Sequence, residues 1–112
     1  MSCNNGTGIT LNYYQKQAFK TALPATKNIT YMTLGLSNEA GEVAGKLKKH
    51  IRGDTTIAVN EAIADELGDV LWYLAGAAWM VGYTLEEIAA MNLSKLSSRQ
   101  ERGKLQGDGD TR

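Results

Sequence analysis

The sequence contains very little cysteine, proline or histidine, with one residue of each among 112. The single Cys3 excludes a disulfide bond within the chain and a cysteine-based zinc site. His50 is equally isolated, and without a second histidine a histidine-based metal site is not expected. Because Pro24 is the only residue that lacks a backbone N–H donor, the composition favours long, uninterrupted helices.

Membrane and secretion signals are also lacking. No apolar run approaches ~18–20 residues without a charge, so the sequence predicts no membrane partner. The first eight residues, MSCNNGTG, have neither the basic nor the apolar part of a secretory signal, which favours a cytoplasmic location. Twelve basic and twelve acidic residues cancel, so no overall field attracts a nucleic acid polymer or an anionic membrane.

The length and composition are those of one small globular domain. A chain of 112 residues is long enough for one hydrophobic core and too short for two. No segment has the pattern of a strand, whereas four segments show helical spacing. The four predicted helices run approximately over residues 11–22, 29–50, 59–81 and 84–102. We therefore predict an all-α, four-helix bundle that forms a single domain over residues 1–112, with flexible ends at 1–9 and 103–112.

Local signals mark several of the helix ends. Thr10 or Asn12 is suited to cap the first helix, because each can accept a hydrogen bond from a free backbone N–H. Gly82 is placed to end the third helix in a left-handed conformation. Thr84 begins the fourth helix, and Glu87 three residues later completes a capping box.

Two of the predicted helices carry acidic pairs at the edge of their apolar faces. An α-helix advances about 100° per residue, which places Glu39 and Glu42 beside the apolar stripe of the second helix. Glu66 and Asp69 occupy the same position on the third helix. The fourth helix has other polar residues at the corresponding edge, namely Asn92, Lys95 and Arg99. If the three stripes pack together, four carboxylates converge beside two cations.

Four carboxylates close to one another would be stabilised by a positive ion between them. Such carboxylates repel one another and resist ionisation unless a cation is present. Hard oxygen ligands suit Mg²⁺, with Mn²⁺ as a substitute, and either ion would keep several waters and bridge to phosphates. A metal-activated water can attack phosphorus, while the metal and nearby lysine or arginine stabilise charge on the phosphate oxygens. The pattern therefore indicates metal-assisted phosphoryl chemistry.

Simpler interpretations remain open for the same residues. An acidic pair on a helix is most often solvated surface, and Glu42 has Lys46 four residues on, as in an ordinary ion pair. Glu66 and Asp69 have no such partner, and they lie in a largely apolar stretch where unpaired carboxylates are costly. Tyr73 fits either stacking on a base or a place in the core.

Two long segments of the sequence resemble the MazG-like nucleotide pyrophosphohydrolases. They are LGLSNEAGEVAGKLKKHIRGD and ADELGDVLWYLAGAAWMVGYTLEEIAAMNLSKLSSR, and the N-terminal LNYYQKQAFKTA is similar to the opening of many small members. The likeness covers residues 10–110 and includes both acidic pairs in their DVLWYL and N-x-x-K contexts. Asn38 departs from the pattern, because larger members carry a further Glu at this position.

The resemblance implies an all-α enzyme that uses Mg²⁺ to cut a (deoxy)nucleoside triphosphate into the monophosphate and pyrophosphate, in house-cleaning of the nucleotide pool. The family's metal ligands and catalytic carboxylates correspond to Glu39, Glu42, Glu66 and Asp69. Its triphosphate-binding basic residues correspond to Lys46, Lys95 and Arg99, and its nucleotide contacts correspond to Tyr73 and Asn92. Family members assemble as dimers or dimers of dimers, so a homodimer or homotetramer is expected.

Two other functions are compatible with parts of the sequence, whereas a third lacks the motif that it requires. The related phosphoribosyl-ATP pyrophosphohydrolases share the metal ligands and differ in the nucleotide. A non-catalytic helical protein that oligomerises or binds a partner would need no metal. A di-iron carboxylate bundle requires Glu-x-x-His on two helices, which His50, preceded three residues earlier by Leu47, does not provide.

Overall fold

The computed structural model describes residues 8–54 and 58–103, which form four α-helices and one short 3₁₀ turn. The α-helices are α1 Leu11–Phe19, α2 Ile29–Arg52, α3 Val59–Met80 and α4 Leu85–Glu101, and the turn is Pro24–Thr26. No strand occurs in the two described stretches, so the predicted all-α class is confirmed. Cys3 and most of the two predicted flexible ends lie outside the described residues.

The first helix is shorter than predicted, because α1 ends at Phe19 and does not continue to Ala22. The backbone N–H groups of Thr21 and Ala22 donate to carbonyls three residues earlier. The Thr21 hydroxyl also donates to the Ala18 carbonyl at 2.6 Å. These bonds tighten the last turn and end the α-helical pattern before the chain reaches Pro24.

The other helix ends follow the predicted signals. The Thr10 side chain caps α1, and the capping box of Thr84 and Glu87 is formed at the start of α4. α2 runs two residues further than predicted, to Arg52, and is followed by Gly53, whose φ is 83°. Gly82 follows α3 with φ 85°. Both glycines adopt the left-handed conformation that commonly ends a helix.

α2 and α3 pack side by side in opposite directions. Met32 of α2 is fully buried over Gly76 of α3, where a Cβ atom would overlap the Met32 sulfur. One turn further along α2, Gly35 meets Tyr73, which lies one turn earlier on α3. Glycine on either helix thus allows the two backbones to approach closely. This antiparallel pairing brings the acidic residues of the two helices to the same interface.

A buried glutamine ties α1 to the turn between α3 and α4. Only 2% of Gln15 is exposed, and its Nε2 donates to the carbonyls of Ala75 at 3.2 Å and Tyr83 at 3.0 Å. Its Oε1 accepts from the Leu85 N–H at 3.0 Å. One side chain therefore satisfies backbone groups from the end of α3, the turn and the start of α4.

α4 packs mainly through its N-terminal end. Leu85 is buried and Ile88 packs against the same cluster, whereas Met91 is 52% and Leu93 67% exposed. The packing of all three apolar stripes, which was the condition for the α4 residues to lie beside the acidic pairs, is therefore not met within one chain, because the C-terminal part of the α4 stripe is exposed. These apolar residues do not form a membrane span, since no described helix is long and apolar enough to cross a membrane.

Candidate active site

Three carboxylates from α2 and α3 converge at the helix interface and are called the carboxylate cluster here. Its members are Glu39 of α2 and, one turn apart on α3, Glu66 and Asp69. Each offers one oxygen, and these oxygens all lie within 4.8 Å of one another. Glu42 is exposed and lies outside this group, although its negative charge contributes to the raised pKa of Glu39.

Glu66 is the most enclosed member of the carboxylate cluster, with 9% of its surface exposed. Its Oε1 lies 3.6 Å from the Lys46 Nζ, whereas its Oε2 is buried without a hydrogen-bond partner among the described residues. Lys46 therefore pairs across to α3, and the alternative ion pair with Glu42 is not formed. A buried carboxylate oxygen without a partner is costly, and a bound cation would remove that cost.

Glu39 is the member whose ionisation is opposed by its surroundings. Partial burial is the largest cause that raises its pKa above the ordinary 4.5, followed by the neighbouring Glu66 carboxylate and by the negative charges of Asp69 and Glu42. Each of these causes favours the protonated form as long as no cation is present. A positive ion between the carboxylates would favour the ionised form.

The raised pKa of Glu39 predicts a pH-dependent effect on stability. The folded state binds the proton of Glu39 more tightly than the unfolded state does, which stabilises the fold below pH 4.5. This stabilisation is lost as the pH rises through the raised pKa of Glu39. At neutral pH and without metal, Glu39→Gln should therefore raise the Tm, because the amide cannot ionise. Below pH 4.5 the two melting curves should converge.

Glu61→Gln is the control for this measurement, because Glu61 lies exposed on α3 and outside the carboxylate cluster. A surface change of this kind usually alters stability by no more than about 0.5 kcal/mol. Equal Tm values for Glu39→Gln and wild type at neutral pH would show that the cluster does not oppose ionisation of Glu39.

A pocket of about 330 Å³ opens beside the carboxylate cluster, lined by Glu39, Asp69, Trp72 and Tyr73. The Trp72 Nε1 donates to the Thr21 hydroxyl at 2.9 Å, which ties this wall to the end of α1. The Trp72 and Tyr73 rings meet edge to face with their centroids 4.9 Å apart. The pocket therefore combines two carboxylates with two aromatic walls. A flat ring can pack against such walls.

Trp72 is not among the site residues predicted from the sequence. The signal that could have identified it is its spacing, because residues three apart lie on neighbouring parts of a helix surface. Trp72 stands three residues after Asp69 and immediately before Tyr73, which is itself a predicted site residue. A large aromatic at this position is also typical of a core, and the sequence alone does not separate the two.

The predicted α4 residues form no hydrogen bond or ion pair with the carboxylate cluster in the described part of the chain. Asn92 and Lys95 are exposed. Arg99 is only 5% exposed, and its buried Nε has no hydrogen-bond partner among the described residues. Within one chain, the structure therefore brings together site residues of α2 and α3 and leaves those of α4 apart.

The carboxylate cluster has the chemistry of a site for a hard divalent cation. Mg²⁺ and Mn²⁺ prefer oxygen ligands, and Mg²⁺ commonly binds through one or two carboxylates together with waters and substrate phosphates. Three convergent carboxylates, one with an unpartnered buried oxygen, supply such a donor set. The adjoining pocket would leave room for a phosphate group beside a bound cation.

Comparison with known proteins identifies the family. The MazG nucleotide pyrophosphohydrolase domain matches residues 27–103, a range that contains the whole carboxylate cluster and Lys46. The chain belongs to the MazG family. Gene 37 protein of Mycobacterium phage L5 is 38% identical over an alignment that covers 91% of this chain and 98% of that protein. No solved structure matches the chain.

Membership of the MazG family confirms the resemblance seen in the sequence. It indicates an activity of the nucleotide pyrophosphohydrolase type, in a family whose members are typically metal-dependent. The match begins just before α2 and ends just after α4. It therefore covers both helices that build the carboxylate cluster and its pocket.

Proposed function

We propose that this MazG chain hydrolyses (deoxy)nucleoside triphosphates to the monophosphate and pyrophosphate, with Mg²⁺ or its substitute Mn²⁺, as a house-cleaning enzyme of the nucleotide pool. The observation that carries the proposal is the Glu66 Oε2, a buried oxygen without a partner among the described residues, within the carboxylate cluster. When bound there, a divalent cation supplies positive charge for phosphate oxygens and lowers the pKa of water.

The side chains around the carboxylate cluster have distinct roles in this proposal. Its three members hold the cation, and Glu42, on the same helix as Glu39, is proposed as a fourth ligand. Lys46 neutralises phosphate oxygens next to the cluster, where a charge-assisted contact is strong. Trp72 and Tyr73 form the walls that receive the nucleoside.

We also propose that the chain works in the cytoplasm as a homodimer or homotetramer. Large apolar side chains are exposed on α2, α3 and α4, including Leu34 at 67%, Leu67 at 51% and Leu93 at 67%. Large apolar side chains that are exposed on one chain are often covered when subunits assemble. Assembly would also let three substrate-binding residues of α4 approach a site, namely Asn92, Lys95 and Arg99. Sedimentation equilibrium tests this proposal, and a monomer at micromolar concentration would contradict it.

Hydrolysis in ¹⁸O-labelled water tests the proposed position of the cut. A panel of all (d)NTPs with Mg²⁺ first identifies the preferred nucleotide. If water attacks the α-phosphorus, the label should appear in the monophosphate and the second product should be pyrophosphate. Label in pyrophosphate, or release of a single phosphate, would exclude this reaction.

A further inference from the structure

The ring of Tyr73 packs against α2 at Gly35, where the lack of a side chain leaves room for it. A Cβ atom at Gly35 would overlap the ring atoms Cδ1, Cε1 and Cζ of Tyr73. Because an aromatic ring cannot bend away as a flexible chain end does, the ring would have to leave this place. Gly41 and Gly45, on the same helix, have open space where a Cβ would lie. Of these three glycines, only Gly35 has a side chain packed where its Cβ would lie.

Other aromatic side chains hold the Tyr73 ring in the same place. Trp72 meets it edge to face with centroids 4.9 Å apart, and Tyr31 lies tilted against it at 6.2 Å. The neighbouring Tyr31 hydroxyl is the largest cause that raises the pKa of Tyr73, followed by partial burial and by the negative charges of Glu39 and Asp69. The ring is therefore a fixed wall beside the carboxylate cluster, with a protonated hydroxyl.

The carboxylate cluster has different neighbours in the two directions along α2. Gly35 lies four residues before Glu39, or about 6 Å along the helix axis. Lys46 lies seven residues after Glu39, or about 10 Å in the opposite direction. On the Lys46 side, a cation lies 3.6 Å from Glu66. On the Gly35 side lies the Tyr73 ring. A molecule with an anionic end and a flat end is complementary to this site in one orientation only.

We propose that Gly35 is a positioning residue that orients the substrate, because it admits the Tyr73 ring that receives the nucleoside while the phosphates extend toward Lys46. This inference rests on the proposed hydrolysis of nucleoside triphosphates and adds the residue that lets the Tyr73 ring occupy the position where the nucleoside is received. Gly35 acts through the Tyr73 ring and does not itself contact the substrate. Its loss weakens recognition of the nucleoside and leaves recognition of the phosphate chain intact.

Kinetics of Gly35→Ala test this orientation, with Gly41→Ala as a matched control from the same helix. The KM for the preferred nucleotide should rise about tenfold in Gly35→Ala, the effect of losing one stack between a base and an aromatic ring, with a smaller change in kcat. Inorganic tripolyphosphate has the phosphates without the nucleoside, so its Ki as an inhibitor should stay at the wild-type value. Gly41→Ala should match wild type in both measurements.

Variants of Tyr73 keep the test independent of how well Gly35→Ala folds, which circular dichroism checks. Tyr73→Ala should show the same raised KM and unchanged tripolyphosphate Ki. Adding Gly35→Ala to it should cause no further rise, since the ring that the new methyl group displaces is already absent.

Three results would overturn the orientation while the proposed function stands: a wild-type KM in Gly35→Ala, a wild-type KM in Tyr73→Ala, or a joint rise of KM and tripolyphosphate Ki. A wild-type protein that hydrolyses no nucleoside triphosphate would overturn the proposed function, and the orientation with it.

Discussion

Replacement of Glu66 by Gln is expected to abolish both turnover and stabilisation by Mg²⁺. The change preserves the size of the side chain and removes the charge of the most buried member of the carboxylate cluster. Because a bound metal contributes several kcal/mol to such a reaction, kcat should fall about a hundredfold or more. Mg²⁺ at a hundred times its Kd should stabilise wild type by about 2.7 kcal/mol, whereas the Tm of the variant should not respond to Mg²⁺.

Asp65→Asn is the matched control for this experiment. Asp65 precedes Glu66 on α3, is exposed and lies outside the carboxylate cluster. The control removes the same charge from the same helix, so its kcat and its response to Mg²⁺ should stay near wild type. Melting curves with and without Mg²⁺ and an assay of released pyrophosphate provide both readouts. Stabilisation of Glu66→Gln by Mg²⁺ equal to that of wild type would refute a metal site at the cluster.

The parts of the fold that depend on local interactions could be predicted from the sequence. The capping box at Thr84 and Glu87 and the glycine after α3 each involve residues within one turn of each other, and such signals are visible in the sequence. The edge position of Glu39 and Glu66 follows from helical periodicity alone. When two helices with such edges pack antiparallel, the acids meet, which is why most of the carboxylate cluster could be anticipated.

The partner of Lys46 could not be predicted in the same way. On the sequence, Glu42 lies four residues before it, and such a pair stabilises a helix by only about 0.2–0.5 kcal/mol. In the fold, Lys46 faces the enclosed carboxylate of Glu66, where a charge has fewer waters to stabilise it. The choice between the two acids depends on burial and on the neighbouring helix, and neither is visible from the spacing within α2.

The way α4 packs against the rest of the chain could not be predicted from the sequence either. It depends on the hydrogen bonds of Gln15 to Tyr83 and Leu85, which lie 68 and 70 residues away along the chain. An apolar stripe with Leu93 on it indicates that something covers the helix, yet it does not distinguish another helix of the same chain from a second subunit. For this reason the sequence places the α4 residues beside the carboxylates only if all three stripes pack together, whereas part of the α4 stripe is exposed in one chain.

Replacement of Lys46 by Ala is expected to separate metal binding from turnover. The Lys46 Nζ lies 3.6 Å from Glu66, and no other cation forms an ion pair with the carboxylate cluster in the described residues. A charge-assisted contact to phosphate contributes about 1.5–3 kcal/mol, so kcat/KM should fall roughly tenfold to a hundredfold. Stabilisation by Mg²⁺ should persist and increase, because the metal-free cluster loses the cation that partly neutralises it.

Lys48→Ala is the control that makes the separation decisive. Lys48 lies exposed on the same helix and forms no ion pair within the described residues, so its removal should leave kcat/KM and the response to Mg²⁺ unchanged. A wild-type kcat/KM in Lys46→Ala would mean that the lysine serves only as a partner of Glu66. Loss of the response to Mg²⁺ would mean that it organises the metal site and does not bind phosphate. Glu66→Gln is expected to lose both the response to Mg²⁺ and turnover. Only a variant that keeps the response to Mg²⁺ and loses turnover therefore identifies a cation that binds phosphate.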